Sequence, residues 1–157
     1  MTYLEDKLQS EMEFERLFVQ TRGQPINYKG RELKMVDRIK LLSNEIELKV
    51  SFLKTDSNWR QGIIFQTKGK FEVNRQHFLN KIVLWEDTAP KKVQMAVNSK
   101  DKILVVYNAW KTDDGAIHYW HNGGAMYVEL HPGYRIYNCN DGYPDDDLDD
   151  LIFKLEL

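Results

Sequence analysis

An acidic stretch near the C-terminal end of the chain is the feature most suggestive of chemistry. Residues 139–150 contain six aspartates and neither lysine nor arginine. Ca²⁺ takes about six to eight oxygen ligands, commonly carboxylates and carbonyls on a flexible loop. The candidate metal ligands are Asn140, Asp141, Asp145, Asp147 and Asp149. Their spacing does not match an EF-hand, which requires a glycine at the sixth position and a glutamate at the twelfth.

The same aspartates also have a purely structural explanation. Aspartate side chains cap turns, and charged residues keep the edge of a sheet soluble. Ca²⁺ sites on loops of this kind usually have a Kd of roughly 10⁻⁴ to 10⁻³ M, which belongs to extracellular proteins. We therefore expect residues 140–150 to form an exposed loop whose aspartates mostly face water, and we expect no cofactor. Ca²⁺ is the alternative.

A second group of candidate residues is aromatic. The sequence Asp-Asp-Gly at 113–115 is typical of a three-residue hairpin loop with a left-handed glycine, which places Trp110 opposite His118. Flat rings beside hydrogen-bonding groups suit a sugar, a base or a peptide surface. We predict that Trp110 and Trp120 share one face of this hairpin, the alternative being that both belong to the core. The candidate ligand-binding residues are Asn108, Trp110, His118 and Trp120.

Residues suited to catalysis are sparse. His118 and His121 lie three positions apart, but on a flat strand they point to opposite faces. Cys139 follows His131, yet a buried and inert cysteine is far commoner than a nucleophilic one. We therefore expect no catalytic residues, and we keep a hydrolase that uses His118, His121 and the nearby aspartates as an alternative.

A helix is predicted at the N-terminal end. Thr2 and Glu5 have the spacing of a capping box, while Gly23 and Pro25 are typical of a helix end. The predicted helix covers residues 2–20, and its buried arc consists of Leu4, Leu8, Met12, Phe18 and Val19. We expect this helix to cover one edge or end of a sheet.

After Pro25 the pattern changes to the alternation of polar and apolar residues that is typical of strands. About ten short strands separated by turn residues predict an antiparallel β-sandwich or jelly roll. We predict a single domain over residues 1–157, with the helix at 1–22 and the sandwich at 26–157. The predicted strands are Leu33–Leu42, Glu45–Phe52, Gly62–Thr67, Lys81–Glu86, Val93–Val97, Ile103–Trp110, Ile117–Trp120, Met126–Leu130, Tyr134–Cys139 and Leu151–Leu157.

The bulk composition limits the expected partners and location. Lys and Arg number 22 against 24 Asp and Glu, for a net charge of -2, and no basic cluster stands out along the chain. We therefore expect no nucleic-acid partner. No apolar run is long enough to span a bilayer, and the N-terminus does not resemble a signal peptide. A single cysteine excludes an intramolecular disulfide. Together, these features lead us to expect a cytoplasmic protein with no membrane partner.

Two segments resemble known families. Asp145–Phe153 is similar to the Asp-rich endings of some secreted β-sandwich domains, which are suspected Ca²⁺ binders, although Leu148 stands where those domains have an aromatic residue. Residues 107–110, 120–123 and 140–153 together resemble an uncharacterised family of small bacterial β-sandwich proteins. That resemblance implies a fold but no activity.

The sequence thus predicts a non-catalytic binding or interaction module. Its partner is a small molecule, a carbohydrate or a protein, and the candidate ligand face lies on the hairpin of residues 103–120. One alternative is a small acidic inhibitor or immunity-type protein that blocks a basic partner through residues 141–150. The other is the hydrolase described above.

Overall fold

The computed structural model describes residues 14, 16–120, 124–142 and 148–157. This part of the chain is mostly β and antiparallel, which confirms the predicted fold class. It contains twelve strands: β1 Ile26–Tyr28, β2 Arg31–Lys34, β3 Asp37–Lys40, β4 Glu45–Thr55, β5 Arg60–Val73, β6 Gln76–Trp85, β7 Lys92–Ser99, β8 Ile103–Lys111, β9 Ile117–His118, β10 Ala125–His131, β11 Tyr134–Asn140 and β12 Leu151–Glu156.

The strands form one hydrogen-bonded path in the order β1-β2-β10-β11-β12-β4-β7-β5-β8-β3, with β6 paired to β5 and β9 paired to β8. β5 links the two halves of this path because it changes partner along its length. Residues 60–66 of β5 pair with β8, whereas residues 69–72 pair with β7. Gly69 permits the change, since a Cβ at this position would lie 1.8 Å from the carbonyl oxygen of Asn98.

Both halves of the path bury their inner faces in one core, as expected of a sandwich-like fold. Alternate residues of each strand point inward, as in β7, where Val93, Met95 and Val97 are buried between exposed neighbours. Tyr137 and Phe153 stack in parallel across β11 and β12, with ring centroids 4.5 Å apart. A smaller cluster, formed by Phe14, Phe18, Ile26, Leu33, Ala125 and Leu148, covers the end of the path near β1 and β2.

The end of the predicted helix is confirmed, whereas its start at Thr2 lies outside the described residues. Residues 16–20 are helical. The amide of Gly23 donates to Phe18 O at 2.9 Å and that of Arg22 donates to Val19 O at 3.2 Å, the hydrogen-bond pattern of a Schellman cap. Phe18 is buried as predicted. Val19 is 71% exposed, so its assignment to the buried arc was wrong.

Several strand boundaries differ from the prediction, because residues typical of turns do not always end a strand in this fold. The predicted strand Leu33–Leu42 is divided into β2 and β3. The predicted strand Gly62–Thr67 does not end at Thr67, because Lys68-Gly69-Lys70 is a bulge inside β5, where the register to β6 shifts. The chain turns instead at Asn74 and Arg75, both of which have a left-handed φ.

The final strand follows the predicted alternation, with Leu151, Phe153 and Leu155 buried. Leu157 was expected to be buried as well, but it lies beyond β12 and is 41% exposed. Among the described residues, no helix is long and apolar enough to cross a membrane.

Candidate functional site

The aromatic hairpin is built by a turn that the sequence predicts correctly. Gly115 has a φ of 84°, and its amide donates to Thr112 O at 2.9 Å. The Thr112 amide donates to Ala116 O at 3.1 Å, which closes the three-residue loop. Trp110 therefore lies opposite His118, as predicted.

Trp110 and Asn108 belong to the interior, so the predicted ligand face is not an exposed surface. Trp110 is 2% exposed and its indole packs on Gly142, where a Cβ would lie 2.9 Å from Trp110 Cζ2. The ring of His118 stacks on Trp110 at 6.0 Å. Asn108 is also buried and donates from Nδ2 to Asn140 O at 3.1 Å. Trp110 and Asn108 thus contribute to packing.

Trp120 departs from the predicted arrangement. β9 ends at His118, and Trp120 has a φ of 69°, which is outside strand geometry. The Trp120 ring lies 5.1 Å from that of Tyr107, which is three positions from Trp110 in β8 and therefore on the opposite face of that strand. The prediction that Trp110 and Trp120 share one face was therefore wrong. Trp120 is 40% exposed and available for contact.

The described ends of the acidic stretch, residues 139–142 and 148–150, are more buried than predicted. Asp141 and Asp150 are almost fully enclosed, so the expectation that its aspartates mostly face water fails for these two residues. Asp141 Oδ2 accepts hydrogen bonds from Ser57 Oγ at 2.6 Å and from Gln61 Nε2 at 2.9 Å. Asp150 Oδ2 accepts one from the Asp141 amide at 2.9 Å. Two aspartates therefore anchor the ends of this segment to the sandwich.

The remaining candidate metal ligands do not converge in the described residues. Asn140 is buried next to Asp141 and donates from Nδ2 to the Asp141 carbonyl, whereas Asp149 forms an ion pair with Lys54 at 3.3 Å. Asp145, Asp147 and His121 lie outside the described residues. Within the described part of the chain, no three His, Cys, Asp or Glu side chains form a group that could hold a metal ion.

Cys139 is fully buried in the core beneath this segment. Burial, together with the nearby charge of Asp150, raises the pKa of the Cys139 thiol well above its usual value. A buried thiol with a raised pKa is a poor nucleophile.

An open cleft on the outer face of β3, β8, β5 and β6 is a better candidate for a ligand site. Its volume is about 1190 Å³. One row of directly paired residues crosses these four strands, in the order Arg38, Val105, Gln66 and Lys81. Partners in such a row project from the same face of a sheet, and three strand spacings separate the first residue from the last by about 14 Å. The cleft therefore has a cation on each side and an aliphatic and amide floor.

Further cations line the same cleft. Lys70 lies between Asn98 and Leu79 in the neighbouring strands, and the amide of Lys100 donates to Lys68 O at 2.7 Å, which holds these two residues together. We refer to the space lined by Arg38, Lys68, Lys70, Lys81 and Lys100 as the cationic cleft.

The lining of the cationic cleft carries more positive than negative charge, although Lys70 also lines a neighbouring cleft together with Glu45, Glu47 and Glu72. No described carboxylate lies within the 4.0 Å ion-pair distance of any of its five cations. Asp101 is its one acidic lining residue. Desolvation acts to raise the pKa of Asp101, but hydrogen bonds from the Ile103 amide and Ser99 Oγ, and the nearby Lys68, hold it below its usual value. Asp101 is therefore ionised, and it lines the cleft together with the five cations.

A second cleft of about 570 Å³ adjoins the first, and both are lined by Arg38, Gln66 and Val105. Trp120 and Lys34 also line the second cleft. Asp37 lies at its base and is almost fully buried, but Tyr137 and Arg135 hydrogen-bond to its carboxylate. Its negative charge is thus compensated inside the protein.

The sequence analysis missed the cationic cleft because its residues are scattered along the chain. Arg38 belongs to β3, Lys68 and Lys70 to the bulged part of β5, Lys81 to β6, and Lys100 follows β7. Bringing these residues together requires knowledge of which strands are neighbours.

Comparison with known proteins identifies no relative that would assign a role to this site. The chain matches no protein-family model, no curated protein and no solved structure at a significant level.

Proposed function

We propose that the protein is a non-catalytic binding module whose anionic ligand occupies the cationic cleft. The observation that carries this proposal is the gathering of five cations, against one lining carboxylate, around one open cleft in a chain whose net charge is -2. Clefts lined by one sign of charge focus the electrostatic field and raise the local concentration of counter-ions. An acidic protein that concentrates positive charge in one place is thereby suited to bind an anion there.

The form of the cleft supports binding rather than a structural role for these cations. The lysines and Arg38 are exposed, so they contribute little to the stability of the fold. Val105 and Gln66 form a half-buried floor between them. Such a floor adds apolar contact and hydrogen bonds to the electrostatic attraction, which is the usual composition of a ligand site.

Heparin, a sulfated polymer, is a suitable probe for this proposal. We expect the protein to be retained on a heparin column at pH 7 and low salt despite its acidic pI of about 6.1. A variant with Lys81→Glu and Lys100→Glu should lose this retention, because it places negative charge on two walls of the cleft.

The matched control is Lys49→Glu with Lys92→Glu. Both lysines are exposed and lie on the outer face near Glu156, outside the cleft, and their replacement changes the net charge by the same amount. The control should elute close to the unmodified protein. Equal elution of the two variants, or passage of the unmodified protein straight through the column, contradicts the proposal.

The alternative functions receive less support. An acidic inhibitor requires an exposed acidic patch, and Asp141 and Asp150 are buried. A hydrolase requires an available His118, whose ring stacks on Trp110 and lies 3.1 Å from Thr112 Oγ1. We retain the cytoplasm as the proposed location on the composition of the sequence.

A further inference from the structure

The two adjoining clefts form one extended groove, and this inference therefore rests on the function proposed above. Because both are lined by Arg38, Gln66 and Val105, a ligand can pass from the cationic cleft into the second cleft without leaving the surface. The volume of the first cleft alone, about 1190 Å³, exceeds the range of roughly 300 to 1,000 Å³ that is usual for sites of small molecules. The groove is thus suited to an elongated ligand.

An exposed aromatic ring lies beside the cationic part of this groove. Trp120 lines the second cleft, and the rings of Tyr107 and Tyr119 pack against its ring, each with its centroid 5.1 Å away. Lys81 connects the two features, since its Nζ lies 5.8 Å from the centre of the Tyr119 ring. A flat surface and a row of cations therefore occur together.

The backbone of Trp120 is strained. A φ of 69° is left-handed, which is uncommon for any residue except glycine and is an outlier for a bulky side chain. Backbone strain of this kind occurs preferentially at active sites, ligand-contacting sites and switch regions. The Trp120 ring is 40% exposed, so the strained backbone does not serve to bury this ring. A contact role for Trp120 is consistent with this arrangement.

We propose that the groove binds single-stranded nucleic acid, with phosphates along the cationic cleft and a base stacked on Trp120. Proteins that bind single strands without sequence preference combine a positively charged groove with aromatic rings on which bases stack. An acidic peptide matches the cations but makes less use of the exposed part of the Trp120 ring. The sequence led to the opposite expectation, because its basic residues are scattered until the strands bring them together.

The test is fluorescence anisotropy with a fluorescein-labelled oligothymidylate of about fifteen nucleotides at several salt concentrations. The double variant Lys81→Glu, Lys100→Glu should weaken binding strongly. The milder double variant Lys81→Gln, Lys100→Gln should reduce the slope of log K against log salt concentration by about 1.4, because each phosphate contact contributes about 0.7 to that slope. The Lys49→Glu, Lys92→Glu control should leave the slope unchanged.

Trp120 is tested separately. Trp120→Ala should weaken binding by at least about five-fold without changing the salt slope, since stacking is not an ionic contact. Trp120→Phe should restore most of the affinity. Oligothymidylate should also quench the tryptophan fluorescence of the unmodified protein more than that of Trp120→Phe. Circular dichroism of each variant verifies that it is folded.

Measurements with other ligands distinguish the possible outcomes. A polyglutamate peptide of equal length, a duplex and a mononucleotide should each bind more weakly than the single strand. Equal binding of polyglutamate, or an effect of Trp120→Ala no larger than that of a surface control, overturns the nucleic-acid assignment. If the heparin result holds while oligothymidylate fails to bind, this inference is wrong and the proposed function stands. Failure of both rejects the proposed function as well.

Discussion

Asp37 shows how this fold accommodates a charge in its interior. Its carboxylate accepts hydrogen bonds from Tyr137 Oη at 2.6 Å, Arg135 Nη1 at 3.0 Å and Lys34 Nζ at 3.3 Å. These donors come from β2 and β11, so one side chain connects the start of β3 to two other strands. Desolvation, followed by the neighbouring charge of Asp37, raises the pKa of Tyr137 far above its usual value. Tyr137 therefore remains a hydrogen-bond donor at any physiological pH.

Removing the Asp37 carboxylate should destabilise the protein markedly. We expect Asp37→Ala to lower the free energy of unfolding by about 3–5 kcal/mol, because a broken buried ion pair leaves its partners desolvated and uncompensated. Asp87 provides a control, since it pairs with Arg60 at 2.7 Å but is 47% exposed. Asp87→Ala should lower it by less than about 1 kcal/mol. Urea unfolding measures both values, and equal losses contradict the argument.

At the scale of the element, local sequence predicted turns and alternation but not how segments end. The 113–115 loop and the pairing of Trp110 with His118 follow from a left-handed glycine and strand parity alone. Trp120 was misplaced because no local signal marks the end of β9. Asp141 was misplaced because its partners Ser57 and Gln61 lie 84 and 80 residues away. Such contacts depend on strand order, which one sequence does not reveal.

The described ends of the acidic segment should keep their positions without Ca²⁺. Asp141 and Asp150 already accept hydrogen bonds from protein donors, and Asp149 pairs with Lys54. Millimolar Ca²⁺ should therefore change the Tm no more than NaCl of equal ionic strength, whereas a specific ligand of the native state raises it by mass action. Thermal unfolding followed by circular dichroism provides the measurement.

The control for this prediction is the double variant Asp147→Asn with Asp149→Asn. It should alter stability by less than about 1 kcal/mol, because it removes one partly exposed ion pair while relieving repulsion between carboxylates. A shift of several degrees that is specific for Ca²⁺, and that the double variant abolishes, would show that the segment is a metal site.

At the scale of the whole molecule, strand order determines how charge is distributed over the surface. Arg38, Val105, Gln66 and Lys81 are far apart in sequence, yet they form one row across four strands. The outer face near β4 and β7 has a different character, with Glu45 opposite Asn98 and Glu47 opposite Ala96. A net charge of -2 with no basic cluster along the chain did not indicate this contrast. The cationic cleft arises only when β3, β8, β5 and β6 lie side by side.

The continuous path of strands also predicts that the molecule unfolds as one unit. The smaller apolar cluster near β1 and β2 is joined to the main core through β10, where Ala125 belongs to the smaller cluster and Met126 to the core. Leu33 contributes to the smaller cluster and lies opposite Ile26 on one side and Tyr127 on the other. Loss of either cluster should therefore destabilise the whole sheet.

Leu33→Ala tests this prediction, because truncating a fully buried leucine costs about 2–5 kcal/mol. All four tryptophans lie outside the smaller cluster, so their fluorescence reports on the rest of the molecule, while far-ultraviolet circular dichroism reports on every strand. In a cooperative unit, both signals should move to lower urea concentration by the same amount. Leu104→Ala, which truncates an equally buried residue of the main core, should behave in the same way. If Leu33→Ala instead produces an early transition in circular dichroism while the fluorescence curve stays in place, the region around β1 and β2 is an independent folding unit, and the prediction of a single domain is wrong.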